Sequence, residues 1–278
     1  MGWGDYIMTT GIVRRLKRQN PNLQILVKEP FNKTRQYRDI FYKNPFIVET
    51  DTINEKFPHI KIPRVLAGVN DESKQKIIWS PERVAEVGDF YAKKEEIDFA
   101  EKNLKTITDH WKAKNQKQPK GIVFISDTAK RNMILDKKVV YYEHAVNREW
   151  GEKKWQRFIT LTSRDYILLK TSHIKEEQFD GLYSLVCDFR TSFSVMTKCD
   201  FFIGNEGGLA HLWAITRKKA LVIFGHWIPP HVTGYSFHLN LSTNLNDHCG
   251  SLKRCEECLS FFNKLEPEYI RFLLDQNI

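Results

Sequence analysis

The residues that could do chemistry concentrate in one stretch, Asp200 to Gly225, reading DFFIGNEGGLAHLWAITRKKALVIFG. At its centre stand Asn205, Glu206, Gly207, Gly208 and His211. Two adjacent glycines let backbone approach a ligand closely, and a helix opening there turns free N–H groups and a positive dipole end toward an anion such as a phosphate. Glu206 and His211 flank that opening. The same pair of glycines also reads as a plain strand-to-helix connection. Asp5 follows the glycines Gly2 and Gly4 at the amino terminus, where it can cap a helix, face a cleft, or both. Arg148 lies in a loop at a strand's carboxyl end, well placed for phosphate because a guanidinium binds two oxygens at once. Its other reading is a partner for a surface carboxylate, with Trp150 and Trp155 as packing. In the tail, Cys255 and Cys258 form a CxxC pair with Cys249 upstream, and a fourth ligand from His248 or elsewhere would complete a zinc site. His248 and Cys249 are adjacent, which strains them as joint ligands, and no second CxxC exists. A structural, thiol-only role is the expectation, with a metal at Cys249, Cys255 and Cys258 as the alternative.

These groups need elements to hold them. Phe201 to Ile203 reads as a strand, Leu209 to Thr216 as a helix and Ala220 to Phe224 as a second strand, a βαβ unit of a parallel sheet. Such a turn lies beyond the carboxyl ends of the strands, where open α/β sheets bind ligands. The amino-terminal pattern is a glycine turn, then a helix with Met8, Ile12 and Leu16 on one face, ended by Asn20-Pro21. Leu23 to Val27 follows as a buried strand. A strand usually precedes such a turn, so the expectation is either a chain clipped at its start or an amino-terminal domain lacking its first strand. Asn32 to Tyr42 reads as a helix, Phe46 to Val48 and His59 to Ile62 as short strands, and Glu95 to Lys112 as a charged helix.

The polar run from Lys112 to Lys120, closed by Pro119, reads as an interdomain linker. It divides the chain into residues 1–118 and 119–278. After it come strand Gly121 to Ile125, strand Val139 to Tyr142, helix Glu152 to Leu161, strands Tyr166 to Leu169 and Tyr183 to Val186, and a short helix through Ser192 to Thr197. A last helix over residues 267–276 starts at Pro267, a favoured first position. The fold expected is α/β, two doubly wound, Rossmann-like domains facing a cleft.

Composition bounds the setting. With 41% hydrophobic and 28% charged residues in 278, the chain has room for two ordinary cores. No apolar run is long enough to span a bilayer, and the start is no secretory signal, so a cytoplasmic location is expected. Five cysteines, an odd number, argue against a disulfide framework. The net charge of +9 favours polyanionic partners.

Taken in order, several segments resemble those of glycosyltransferase family 9, the ADP-heptose:lipopolysaccharide heptosyltransferases. GWGDYIMTTGIVRRLKRQNP is similar to the family's amino-terminal glycine–aspartate motif, and NREWGEKKWQRF to its Asn-Lys-x-Trp segment with Arg148 in the lysine's place. GNEGGLAHLWA resembles the donor-binding Asp/Glu-x-Gly-x-x-His motif, and FGHWIPPHVTGY the Phe-Gly and proline-rich segment after it. CGSLKRCEECLSFFNKLEPEYI is similar to the cysteine-bearing tail of one branch. The resemblance implies a GT-B architecture with the acceptor side amino-terminal, the nucleotide-sugar side carboxyl-terminal, and a last helix that often crosses back. It implies inverting transfer to a surface-glycan hydroxyl without metal or cofactor, with at most peripheral membrane contact. Asp5 would be the general base and Gly2 and Gly4 its acceptor-side loop. Arg148, Asn205, Glu206, Gly207, Gly208 and His211 would bind the donor. The alternative is a catalytically inactive nucleotide-sugar-binding or scaffold protein of the same fold. A zinc-bearing nucleic-acid binder is disfavoured, since neither paired zinc-ligand sets nor a basic helix with interleaved aromatics is present.

Overall fold

Short, nearly continuous apolar runs, buried on both faces, build the sheet that carries the site. The structure, a computed structural model, describes residues 3–28, 39–48, 58–63, 68–127, 132–135, 138–141, 143–174, 179–243 and 248–277. In chain order the elements are α1 (Trp3–Gln19), β1 (Gln24–Lys28), β2 (His59–Pro63), β3 (Gly68–Asp71), β4 (Lys76–Trp79), α2 (Lys94–Asn115) and β5 (Ile122–Ser126). Next come β6 (Asn132–Leu135), β7 (Lys138–Tyr141), a 3₁₀ helix (Glu143–Arg148), α3 (Glu152–Thr162), β8 (Ile167–Ser172), β9 (Leu182–Val186) and α4 (Phe189–Thr197). The chain ends with β10 (Phe201–Asn205), α5 (Gly208–Ala214), β11 (Ala220–Gly225), α6 (Pro230–Thr233), β12 (Leu239–Ser242), α7 (Glu256–Lys264) and α8 (Pro267–Asp275).

Six strands form one parallel sheet in the order β12-β11-β10-β5-β8-β9. The chain starts at β5, steps outward through β8 and β9, then returns to place β10 on the other side of β5. That is the doubly wound order, and its reversal leaves a crevice at the carboxyl ends of β5 and β10. Alternate residues serve the two faces. Val123, Ile125, Leu168, Phe201, Ile203 and Leu221 pack with Trp155, Phe158, Phe262, Ile270 and Leu274 of α3, α7 and α8. Phe124, Leu169, Phe202, Val222 and Phe224 pack with Tyr6, Leu104, Trp111, Val195 and Trp213 of α1, α2, α4 and α5.

The amino-terminal part therefore shares the core of the main sheet. A buried ion pair strengthens the join: Arg190 of α4 donates from Nε to Glu96 of α2 at 2.7 Å and from Nη2 to the Tyr91 carbonyl at 2.9 Å. Among the described residues the amino-terminal strands form only the parallel pair β1–β2 and the hairpin β3–β4. The expected GT-B pairing is thus visible as one doubly wound sheet, not as two.

Other expectations shift in detail. The strand expected at Val139 to Tyr142 is β7, which pairs antiparallel with β6 rather than joining the main sheet, and Tyr142 lies outside the described residues. Residues 46–48 form no strand, although the Val48 N–H donates to the Ile25 carbonyl at 3.0 Å. Most of the helix expected at Asn32 to Tyr42 lies outside the described residues. Residues 112–115 of the polar run form the last turn of α2, because Lys and Ala favour helix, and residues 116–120 are irregular. Gln116, at φ 53°, closes the helix in the left-handed conformation. Ile12 and Leu16 of α1 are only half-buried, the buried face running through Tyr6, Ile7, Thr10 and Val13. Helix α8 packs on α3 through Ile270 and Leu274. No helix among the described residues is long and apolar enough to cross a membrane.

Candidate active site

The turn between β10 and α5 sits at the sheet's reversal, and the side chains around it come from four parts of the chain. Strand β10 ends in Asn205, which is buried, and neither end of its amide has a hydrogen-bond partner. Glu206 follows, 8% exposed. Its Oε2 accepts from Arg148 Nη1 at 3.3 Å, and its Oε1 lies 3.7 Å from His211 Nε2. Burial alone would push the Glu206 carboxyl up, but His211 and the Arg148 charge outweigh it and hold its pKa below the ordinary value. At 3.7 Å the His211 ring stands just beyond tight hydrogen-bond distance of this carboxylate.

His211 shares a 2.9 Å hydrogen bond with the Tyr235 hydroxyl through Nδ1. Burial pushes the Tyr235 phenol far up, so it stays protonated. Arg148, at the end of the 3₁₀ helix, lays its guanidinium over the Trp227 ring, 4.7 Å from the centroid. Its Nε is buried without a partner. The carboxylate it meets is therefore the buried Glu206 and not a surface one. His144 stacks on the same indole, and burial, helped by the Arg148 charge, lowers its pKa to about 4. Trp150 and Trp155 are buried packing, as read from the sequence.

Asp5 arrives from α1. It stands inside the helix's first turn, where a carboxylate suits the dipole, rather than at an N-cap. Gly4 likewise is helical and buried, which corrects its reading as a loop residue. The reason is packing. A Cβ at Gly4 would come within 2.4 Å of His211 Cδ2, so only glycine lets α1 seat against that ring. Gly2 lies outside the described residues. Gly207 and Gly208 are half-buried, and a Cβ on Gly208 would sit 3.4 Å from the Gly4 nitrogen. The glycine turn and the first turn of α1 are thus immediate neighbours. Gly207 itself is extended and has open space where a Cβ would lie, so no local crowding demands it.

Two residues of this neighbourhood had no signal in the sequence. Tyr235 was only part of the Pro-rich segment. Arg83, a lone arginine in Pro-Glu-Arg-Val, is placed by folding beside α1. Its Nη2 donates to Met8 Sδ at 3.4 Å, while Nε and Nη1 are shielded from solvent and have no acceptor. Leaving one such donor unmet costs about 1–3 kcal/mol.

The tail cysteines come together next to the Arg148 segment. One sulfur each from Cys249, Cys255 and Cys258 lie within 4.8 Å of one another, with Cys249 and Cys258 at 3.2 Å. The hydrogen bond from Cys258 draws the Cys249 thiol down to about 6 and pushes that of Cys258 up. His248 turns its Nε2 to Ser242 at 2.8 Å. His226 accepts the Cys249 N–H on its carbonyl at 3.0 Å, while its ring meets Thr243 through Nδ1 at 3.0 Å and Glu257 through Nε2 at 3.1 Å. Asn147 ties this loop to the 3₁₀ helix, donating to the Lys253 carbonyl at 2.7 Å and accepting from the Cys255 N–H at 2.8 Å. Three thiols so placed fit a thiophilic ion such as zinc or iron.

No protein-family model matches the chain, and no curated protein does. Solved structures do. The glycosyl transferase family 9 protein from Veillonella parvula DSM 2008 is 12% identical, with a TM-score of 0.56, over 95% of this chain and 94% of that one. The E. coli ADP-heptose lps heptosyltransferase II is 10% identical, with a TM-score of 0.55, over 99% and 96%. The iron-containing dodecameric glycosyltransferase TibC from enterotoxigenic E. coli H10407 is 12% identical, with a TM-score of 0.57, over 99% and 73%. Against E. coli heptosyltransferase WaaC the chain spans less than half of that protein, 43%, at a TM-score of 0.39. At these identities the likeness is one of fold, and the fold is that of the glycosyltransferase family 9 heptosyltransferases.

Proposed function

We propose that the chain is a glycosyltransferase that moves a sugar from a nucleotide-diphosphate sugar, ADP-heptose-like, to a hydroxyl of a surface glycan, with inversion and without a catalytic metal. The observation that carries this reading is the meeting of Arg148, Glu206 and His211 with the Asp5-bearing turn of α1 at the reversal of a doubly wound sheet. The fold neighbours that include an ADP-heptose enzyme support the donor class.

In this reading the halves of the chain are the acceptor and donor sides. Asp5 takes the proton of the acceptor hydroxyl, whose oxygen forms a bond to the anomeric carbon. The bond from that carbon to the diphosphate oxygen breaks on the opposite face, and the nucleotide diphosphate leaves with the electron pair. Arg148 meets the charge that develops there, fixed in place by Trp227 and Glu206 before the reaction begins. Asn205, with both amide ends free to bond, and the ionised Glu206 take sugar or ribose hydroxyls. Backbone N–H groups at Gly207 and Gly208 and the His211 ring add to the diphosphate site. The cysteine cluster is a structural brace in this scheme, and an ion held there takes no part in transfer.

Incubation with ADP-, GDP- and UDP-sugars, followed by assay of released nucleotide, tests the proposal. Release with one donor class supports it, and binding without release favours the inactive alternative. Asp5→Ala is expected to abolish transfer with donor affinity nearly intact. Arg148→Ala is expected to weaken donor binding about tenfold or more by calorimetry. Retained turnover in the first variant removes Asp5 from the mechanism, and unchanged affinity in the second removes Arg148.

A further inference from the structure

A second concavity opens at the other end of the main sheet, beside its edge strand β9. It holds about 640 Å³, within the range of small-ligand sites. Its walls are the last turns of α2, the end of α3 and the turn into β9. Strands β8 and β9 are six and five residues long, so at about 3.3 Å per residue roughly 15–20 Å separate it from the carboxyl end of the sheet, where Glu206 stands. Each wall is tied to the other two. Trp111 of α2 donates from Nε1 to the Ser163 carbonyl at the end of α3, at 3.0 Å. A Cβ at Gly181, whose φ is 89°, would lie 2.8 Å from Ser163 Oγ, so the turn seats directly on α3. The Tyr183 hydroxyl of β9 bonds His110 Nδ1 of α2 at 2.7 Å, with the rings edge to face. Three joints therefore hold the gap open, and loose packing does not explain it.

Buried Trp111 and Leu182, with half-buried Phe179 and Tyr183, give the lining an apolar and largely aromatic side. Lys114, Arg164 and Asp180 line it too, exposed, and no ion pair with a described residue engages any of the three. Charges close by are spent differently, Asp165 taking both Lys117 and Arg271. On the lining the charges cancel. Helices α2 and α3 both end here, each carboxyl terminus worth about half a negative charge, and with Asp180 they balance Lys114 and Arg164. No net field draws an ion, yet a carboxylate, a guanidinium fork and an ammonium stand with unspent hydrogen bonds beside aromatic surface. A pyranose has the matching chemistry: faces of C–H groups and a rim of hydroxyls that both donate and accept. We propose that this groove binds a neutral saccharide chain away from the reacting centre. The C–H face of one sugar lies on Phe179 and Tyr183, while Asp180 and Arg164 take its hydroxyls. Because the groove is open to solvent, a chain longer than one ring can run through it. The inference goes beyond the transferase reading and does not depend on it.

The test follows the His110 imidazole signals by NMR in the full chain, identified by their loss in His110→Gln. Maltotriose, mannotriose and triacetylchitotriose are the probes, with glucose 6-phosphate, inorganic phosphate and tetra-alanine as controls. A saturable shift with a neutral trisaccharide supports the inference. A shift with the phosphates and with no trisaccharide marks an anion site and overturns it. A shift with tetra-alanine alone marks strand addition on β9 and overturns it, as does silence with every probe. Asp180→Ala is expected to weaken the effective trisaccharide about tenfold, through loss of an ionised acceptor. Asp180→Asn keeps the planar shape and one acceptor oxygen, and is expected to recover most of that loss. Both Asp180 and Arg164 are exposed, so these variants are expected to keep the wild-type thermal midpoint. Unaltered trisaccharide affinity in both Asp180→Ala and Arg164→Ala would place the sugar elsewhere and overturn the assignment. The shifts are expected to persist in Arg148→Ala, which weakens the proposed donor site. Their loss there would put the sugar at the reacting centre and overturn the separate groove.

Discussion

The contact between Gly4 and His211 gives the sharpest test of how the site is assembled. In Gly4→Ala the new methyl carbon would lie 2.4 Å from His211 Cδ2, 3.1 Å from Nε2 and 3.3 Å from Cγ. Ordinary contact needs roughly 1 Å more. The ring cannot simply rotate away, since Nδ1 is bonded to Tyr235 at 2.9 Å and Nε2 faces Glu206 at 3.7 Å. Overpacking of this kind costs about 1–3 kcal/mol, and alanine in place of a helical glycine returns about 1 kcal/mol. The net loss is about 0–2 kcal/mol, a fall in thermal midpoint of no more than about 5 °C for a chain this long. Function is expected to suffer far more. A displacement near 1 Å of a positioned group can cost about a hundredfold, so nucleotide release should drop by about tenfold or more. Gly11→Ala is the control. Its Cβ would meet the Val87 carbonyl oxygen at 2.6 Å, a clash with backbone away from His211, so stability should fall more and turnover per folded molecule less. Imidazole NMR reports the His211 environment directly. Wild-type turnover with an unmoved His211 signal in Gly4→Ala would refute the claim that α1 and α5 build the site together.

Other consequences are as specific. The pKa of Glu206 is lowered in the fold, so its ionised form contributes stability that is fully present above the ordinary value of 4.5 and lost as pH falls through the lower folded value. Donor affinity and thermal midpoint should therefore carry no Glu206 step between pH 7 and 5, and a step absent from Glu206→Gln with its midpoint above 4.5 would contradict this. Arg190 and Glu96, 5% and 6% exposed, form a buried pair, so Glu96→Ala should cost about 3–5 kcal/mol in urea unfolding, while Arg190→Met with Glu96→Leu together recovers most of it. A loss under about 1 kcal/mol in the single variant would show that the join between α2 and α4 does not depend on the pair. Elemental analysis of protein purified without chelator should find about one zinc or iron per chain, lost in Cys258→Ser. A metal-free protein with full stability would return the cluster to the thiol-only role.

Sequence pattern was informative where the physics is local. The β10–α5–β11 unit was legible because two apolar runs bracket a glycine pair and a short amphipathic stretch, and α2 because its apolar residues keep helical spacing. The hairpin β3–β4 was missed because Gly-Val-Asn-Asp looks like a loop, and β12 because Leu-Asn-Leu-Ser is too short to show a period. Strand order could not be read, since it depends on which distant strands pair. Nor could the neighbourhood of Arg83, which comes from a strap crossing α1 and carries no spacing signal. Glycine favours turns, so its type at position 4 suggests one, whereas its place inside α1 answers to a ring brought by residue 211.

That contact also bears on how the two sides of the reaction stay in register. In an enzyme whose base and donor site stood on separate bodies, closure would have to bring them together in each cycle. Here α1 packs directly on α5, and the Asp5-bearing turn touches the Gly207–Gly208 turn. Arg190 further ties α4 to α2. On the proposed reading, a base held this way needs little reorganisation to present the acceptor hydroxyl to a bound donor, which would lower the entropic part of the barrier. The amino-terminal helix then packs against the donor site rather than closing over it as a lid, so a substitution that displaces α1 from His211, such as Gly4→Ala, should alter donor and acceptor parameters together, whereas Asp5→Ala should spare donor affinity.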